Sequence, residues 1–201
     1  MLNWRVRLNL FLKDSIMNNY LLQHVVEFST SYQTNKILLV VHKLHRTPYH
    51  LGIIYGDKYF ALTINGADIK SKQTAFEALA DKTANNLIIE INVDVDPQMD
   101  LTIFFENNSL NHDSFHSCLS PIKQIIAQLT TNNKFNDANN LFDLLDMLME
   151  HNLVGQKSAT RISPLMESKI VLMRYDTEAI KKHIKRLQEK NKGEQNQKNI
   201  S

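Results

Sequence analysis

Residues 36–66 commit this chain to a sheet. Ile37-Leu38-Leu39-Val40-Val41 is an apolar run rich in β-branched residues, and a second run, residues 49–55, leads into Gly56-Asp57. A third run, residues 58–64, ends at Asn65-Gly66. Gly-Asp and Asn-Gly supply the positive φ angles that two-residue hairpin turns require. An antiparallel meander over residues 24–70 is therefore predicted.

The rest of the chain alternates between helical and strand patterns. Phe76, Leu79 and Ala80 form the apolar side of a short helix within residues 71–86, with Ser71 or Thr74 as its cap. Residues 87–95 alternate, with Ile89, Ile91, Val93 and Val95 against Glu90, Asn92 and Asp94, as a half-buried strand does. Asp96-Pro97-Gln98 breaks that strand, and residues 101–105 are expected to return as its partner. Ser120-Pro121 opens a helix to Leu129, because proline at the first helical position loses no hydrogen bond. Ala138, Leu141, Phe142, Leu145, Leu148 and Met149 recur at helical spacing, with Gly155 expected as the stop, so the two helices read as an αα-hairpin. Residues 169–175 read as a strand, though Ser163-Pro164 could equally start a helix there, and Asp176 caps a helix striped by Ile180, Ile184 and Leu187. The expected fold class is α+β, a mostly antiparallel sheet packed by an αα-hairpin and a C-terminal helix.

With 201 residues, 43% hydrophobic and 22% charged, one domain with its own core is expected. The boundaries read as residues 1–22, a leader or amphipathic helix; 23–189, a single α+β domain; and 190–201, a disordered polar tail with nothing apolar to bury. Trp4, Leu8, Phe11, Leu12 and Ile16 fall at helical spacing in the leader, and their stripe is expected to pack on the body; Met17 offers a second start. Apolar runs of strand length are far short of a spanning helix, and no cleavage site follows the N-terminal basic residues. The single cysteine, Cys118, excludes a disulfide framework and points to the cytoplasm. Asn- and Lys-rich usage gives the impression of an AT-rich bacterial genome.

Charge is placed unevenly. From residue 181 onward, seven Lys or Arg stand against Glu189 and Glu194, so this stretch carries +5 and the remainder −3 of a net +2. A mildly acidic body is not the footprint of a nucleic-acid binder. Lys181, Lys182, Lys185 and Arg186 give nucleic acid or an acidic partner a place to bind.

Five glycines cannot assemble a phosphate-cradling loop, and no Gly-x-Ser-x-Gly elbow occurs. His112 and His116 stand four apart beside Asp113, but the glutamate of a His-Glu-x-x-His motif is missing and Asp113 reads as a cap. Asp94, Asp96 and Asp100 lack the glycine and closing glutamate of a calcium loop. No metal and no cofactor is expected. The remaining candidates are Cys118, just upstream of a predicted helix, and His50, on a predicted strand. A thiol near the positive end of a helix dipole, within reach of an imidazole, is the recipe for a thiolate nucleophile. As packing residues, Cys118 would be a small buried hydrophobe, His50 a strand residue bonded at the sheet surface, and Gly52 a point of close backbone approach.

His50-Leu51-Gly52-Ile53-Ile54, Tyr59-Phe60 on the return strand, Gly66-Ala67-Asp68-Ile69 and the later Cys118 resemble the His-first, Cys-later order of permuted papain-fold cysteine peptidases. That grouping includes the PPPDE-type and lecithin:retinol acyltransferase-like proteins, and the likeness covers residues 37–129. It implies Cys118 as nucleophile and His50 as general base; no third residue stands out to orient the imidazole, and His42, Asp68 and Glu90 are the ones on offer. Ser117 stands where the family carries Asn, and the predicted helix starts after the thiol rather than at it.

Two functions follow. The first is a non-catalytic cytoplasmic interaction protein, an adaptor or accessory subunit of a larger assembly, that docks through its helical hairpin or basic C-terminal helix. Met147 and Met149, flanking Leu148, would suit such a contact surface. The alternative is a thiol-dependent hydrolase or transferase using Cys118 and His50.

Overall fold

The predicted meander forms the centre of a seven-stranded sheet. The computed structural model describes residues 19–30, 35–80, 85–96, 99–110, 117–161 and 168–198. Strands β1 (Asn19–Leu22), β2 (Val25–Glu27), β3 (Ile37–His42), β4 (His50–Tyr55), β5 (Lys58–Thr63) and β6 (Gly66–Ser71) come first. Helix α1 (Lys72–Ala80), strand β7 (Leu87–Ile91) and helices α2 (Thr102–Leu110), α3 (Leu119–Leu129) and α4 (Leu141–Glu150) follow. Strands β8 (Val154–Ala159) and β9 (Ile170–Met173) precede the last helix, α5 (Thr177–Lys198). The main sheet has the order β2-β8-β7-β3-β4-β5-β6, while β1 and β9 make a separate ribbon. All pairs are antiparallel except β2 with β8, so the fold is α+β with a mostly antiparallel, mixed sheet.

Registers define the two faces. Leu38, Val40, Gly52, Ile54, Tyr59, Ala61 and Ile88 share one face with His42 and His50, and Ala75, Phe76 and Leu79 of α1 cover its apolar part. Leu39, Val41, Leu51, Ile53, Phe60, Leu62, Leu87 and Ile89 point the other way, into a larger core closed by α2, α3 and α4. The αα-hairpin is present: a short 3₁₀ turn, Asn133–Asp137, joins α3 to α4. Asn140 caps α4 by accepting from the backbone N–H groups of Phe142 and Asp143 at 2.8 and 3.0 Å. Leu141, Leu145 and Leu148 are buried, so this stripe is core rather than a contact surface.

Three local expectations change. Residues 101–105 are not a strand but open α2: Asp100 Oδ1 accepts from the Thr102 backbone N–H at 2.9 Å, and Leu101, Phe105 and Asn108 are buried at helical spacing. Gly155 does not stop α4, which ends at Glu150 before Asn152 turns with φ of 55°. Gly155 lies inside β8, a strand of mixed polarity without clear alternation, and a Cβ there would meet Asn92 Oδ1 at 2.8 Å. Helix α5 begins as predicted, with Asp176 Oδ1 accepting from the Ala179 N–H at 2.7 Å. It continues to Lys198, past residue 190, where composition predicts disorder. Lys, Glu and Gln are good helix formers, so lack of apolar area does not by itself end a helix.

Candidate functional site: the two sides of strand β4

Strand β4 carries both predicted site residues, and its alternation separates them. Cys118 is the N-cap residue of α3, in αR conformation with no side-chain cap bond. Its Sγ accepts from the Leu51 N–H at 3.4 Å, and the thiol points back to the Tyr49 carbonyl at 3.9 Å. Leu51 lies just outside the β4–β5 ladder, whose first pair is Gly52 with Ala61. The sulfur thus serves a strand N–H at the end of that ladder, and it packs against the larger core.

Burial pushes the Cys118 thiol up to about 11, more than the bonds from the Leu51, Cys118 and Leu119 backbone bring it down. The helix dipole at the start of α3 is therefore outweighed by desolvation. The residues whose backbone meets the sulfur are Leu51 in β4 and Tyr49 just before it, and neither side chain is a base at neutral pH. Tyr49 is occupied elsewhere, accepting from the Met173 N–H at 2.8 Å.

His50 projects from the opposite face. It pairs across the strands with His42, their ring centroids 5.5 Å apart. His42 Nε2 is 2.8 Å from the Tyr59 hydroxyl, and the two rings meet edge to face. Tyr59 reaches that far because Gly52 leaves space beneath it: a Cβ at position 52 would sit 2.5 Å from the Tyr59 oxygen. Lys70 stands 5.4 Å from the Tyr59 ring centroid and bonds Asp68 at 2.9 Å. The structure therefore gathers His42, His50, Tyr59, Asp68 and Lys70 at the polar end of the α1 face.

Electrostatics in this cluster favour neutral imidazoles. Burial pushes His42 down to about 4, helped by His50, Lys43 and Lys70 and opposed by Asp68. His50 is also lowered, first by desolvation and then by Lys43 and Lys70, while Asp68 pulls the other way. Desolvation and Asp68 raise the Tyr59 hydroxyl, which stays protonated and shares a hydrogen bond with His42.

Of the residues expected to orient His50, His42 and Asp68 lie in this cluster, whereas Glu90 pairs with Leu38 on β7. Tyr59 and Lys70 were not singled out from sequence as members of a polar cluster. The available signal was Gly52, which sits opposite the β5 segment carrying a large aromatic. His112, Asp113 and His116 lie outside the described residues. Among the described residues, no group of three His, Cys, Asp or Glu side chains is placed to hold a metal ion. Neither the family models, the curated proteins nor the solved structures compared with this chain give a match.

Proposed function

We propose that this protein is a non-catalytic interaction protein, an adaptor or accessory subunit, and that α5 is its docking element for an acidic protein surface. The observation that carries this reading is the division of α5 into an anchored stripe and a free basic face. Ile180 is buried and Ile184 and Leu187 are half-buried, while Lys181, Lys182, Lys185 and Arg186 are exposed. Of these four, Lys181 pairs with Glu178 at 2.6 Å, and an exposed i,i+3 pair contributes little. A protein surface fits better than nucleic acid, because the basic residues sit on one element and the rest of the chain is mildly acidic. The compartment in this reading is the cytoplasm, on the strength of the single cysteine. No helix among the described residues is long and apolar enough to cross a membrane.

The hydrolase alternative needs His50 on the Cys118 side of β4. A one-residue slip of β4 would bring it there, but would also turn Leu51 and Ile53 out of the larger core. The separation of the two side chains supports the interaction reading over the catalytic one.

Fluorescence anisotropy with a labelled poly-glutamate peptide and a labelled single-stranded RNA tests the proposal. The expected result is salt-dependent binding of the peptide, at least tenfold weakened when Lys181, Lys182, Lys185 and Arg186 are all replaced by Glu. No peptide binding, or RNA bound more tightly than peptide at the same ionic strength, would overturn it.

A further inference from the structure

Strand β6 ends the main sheet, and no strand lies beyond it among the described residues. The opposite edge is guarded: β2 is only three residues long, and the Val25 N–H at its start donates to the Ser168 carbonyl at 2.8 Å. β6 has six residues and keeps unbroken register with β5, from Gly66 opposite Thr63 to Ser71 opposite Lys58.

Along an antiparallel strand, every second residue turns its N–H and C=O toward a given neighbour. The Lys72 N–H donates to the Asp57 carbonyl at 2.6 Å, one step past the β5–β6 register, and this fixes the phase. Gly66, Asp68 and Lys70 therefore direct their backbone groups to β5, while Ala67, Ile69 and Ser71 direct theirs away from it.

We propose that β6 pairs antiparallel with β6 of a second copy of this chain, about a two-fold axis through Ile69. Outward-directed residues must meet outward-directed residues, so the two strands can slide past one another only in steps of two. With Ile69 on the axis, Ala67 meets Ser71, and Asp68 meets the second copy's Lys70 at both ends. One step either way sets Asp68 against Asp68 or Lys70 against Lys70, and like charges directly opposite are destabilising. Asp68 and Lys70 are available for this: their side chains are 39% and 37% exposed and share the face of Ala61 and Tyr59. They also fall in the non-hydrogen-bonded pairs, where side chains stand closest. A lysine on an edge strand ordinarily repels a second copy; Asp68 turns that repulsion into a match in one register. An extended peptide of another protein is the rival occupant, but a second β6 carries both charges at the required spacing. About six backbone hydrogen bonds make a small contact, so the dimer is weak and concentration-dependent. The pairing is independent of α5.

Sedimentation equilibrium of the full chain, from micromolar to millimolar concentration, tests the pairing. The expected result is a monomer–dimer equilibrium whose dissociation constant rises about tenfold or more in Asp68→Lys and in Lys70→Asp taken singly. Mixing the two variants should restore association, because each then faces opposite charges. A chain that stays monomeric throughout, a dimer indifferent to either substitution, or a mixture that fails to pair would overturn the proposal. Where a substitution unfolds the protein, amide hydrogen exchange of the unaltered chain replaces it. Exchange at Ile69 and Ser71 that slows as concentration rises supports the pairing, and exchange independent of concentration overturns it.

Discussion

The two faces of the central sheet are built from the same strands but are not equivalent. Among the described residues, thirty-one buried side chains form the core under α2, α3 and α4, against nine under α1. The thick side packs against the partly buried Cys118 and keeps its thiol neutral. The thin side has too little apolar cover to reach the end of the sheet, and there His42, His50, Tyr59, Asp68 and Lys70 replace it with polar contacts. A single strand, β4, delivers alternate residues to these two environments, so neighbours in sequence meet opposite chemistry.

The largest test of this difference is a pair of leucines. Leu145 in α4 and Leu79 in α1 are both buried to within 2%. The cost of a Leu→Ala change depends on how far the surroundings can collapse into the space it leaves. Leu145→Ala should cost about 4 kcal/mol and Leu79→Ala about 2 kcal/mol, read as shifts in denaturant midpoint at constant slope. Equal costs would break the distinction between a thick and a thin side.

Acid should act through the thin side. The folded-state value of His42 is lowered, so the unfolded chain binds more protons below its histidine range. Stability is then fully present above about pH 6.5 and is lost as pH falls, down to about 4 for His42. The His42 contribution is on the order of 2–3 kcal/mol. Thermal melts between pH 7 and 4 should show the loss, and His42→Gln, which keeps a hydrogen-bonding partner for Tyr59, should flatten it. A melt insensitive to pH over this range would mean the imidazoles are not held neutral.

Gly52→Ala sharpens the same point on a smaller scale. The added methyl would press on the Tyr59 oxygen and displace it from His42. A cost of about 1–3 kcal/mol is expected, with a weaker pH dependence because His42 gains access to water. An unchanged melt and pH profile would show that Tyr59 has room to move.

The difference between the faces was only partly legible in the sequence. Turn residues at Gly56-Asp57 and Asn65-Gly66 and the apolar runs around them announce the meander, because hairpin geometry is local. Helices α3 and α4 are legible from their apolar spacing. Strand β8 is not, since Val154-Gly155-Gln156-Lys157 is stabilised by its neighbours β2 and β7 rather than by its own pattern. Residues 101–105 misled for a similar reason: five residues cannot distinguish strand from helix without the Asp100 cap. The identities of His50 and Cys118 could be read, but their separation could not. Which face of β4 looks toward α3 is set by register with β3 and β5, and a shift of one residue would exchange His50 for Leu51.

The smallest expected effect is the most direct test of that separation. His50 lies exposed at the rim of the thin side, so His50→Ala should change stability by less than about 0.5 kcal/mol. Cys118 is partly buried on the other side with its thiol raised to about 11, and native protein should react with iodoacetamide at neutral pH far more slowly than a small free thiol. Because the Sγ partners are the Leu51 N–H and the Tyr49 carbonyl, His50→Ala should leave that slow rate unchanged. Unfolding should release the thiol to full reactivity in both proteins. Rapid alkylation of the native chain that falls in His50→Ala would mean that the imidazole reaches the sulfur across β4. The faces would then not be chemically separate, and the thiol-dependent alternative would replace the interaction reading.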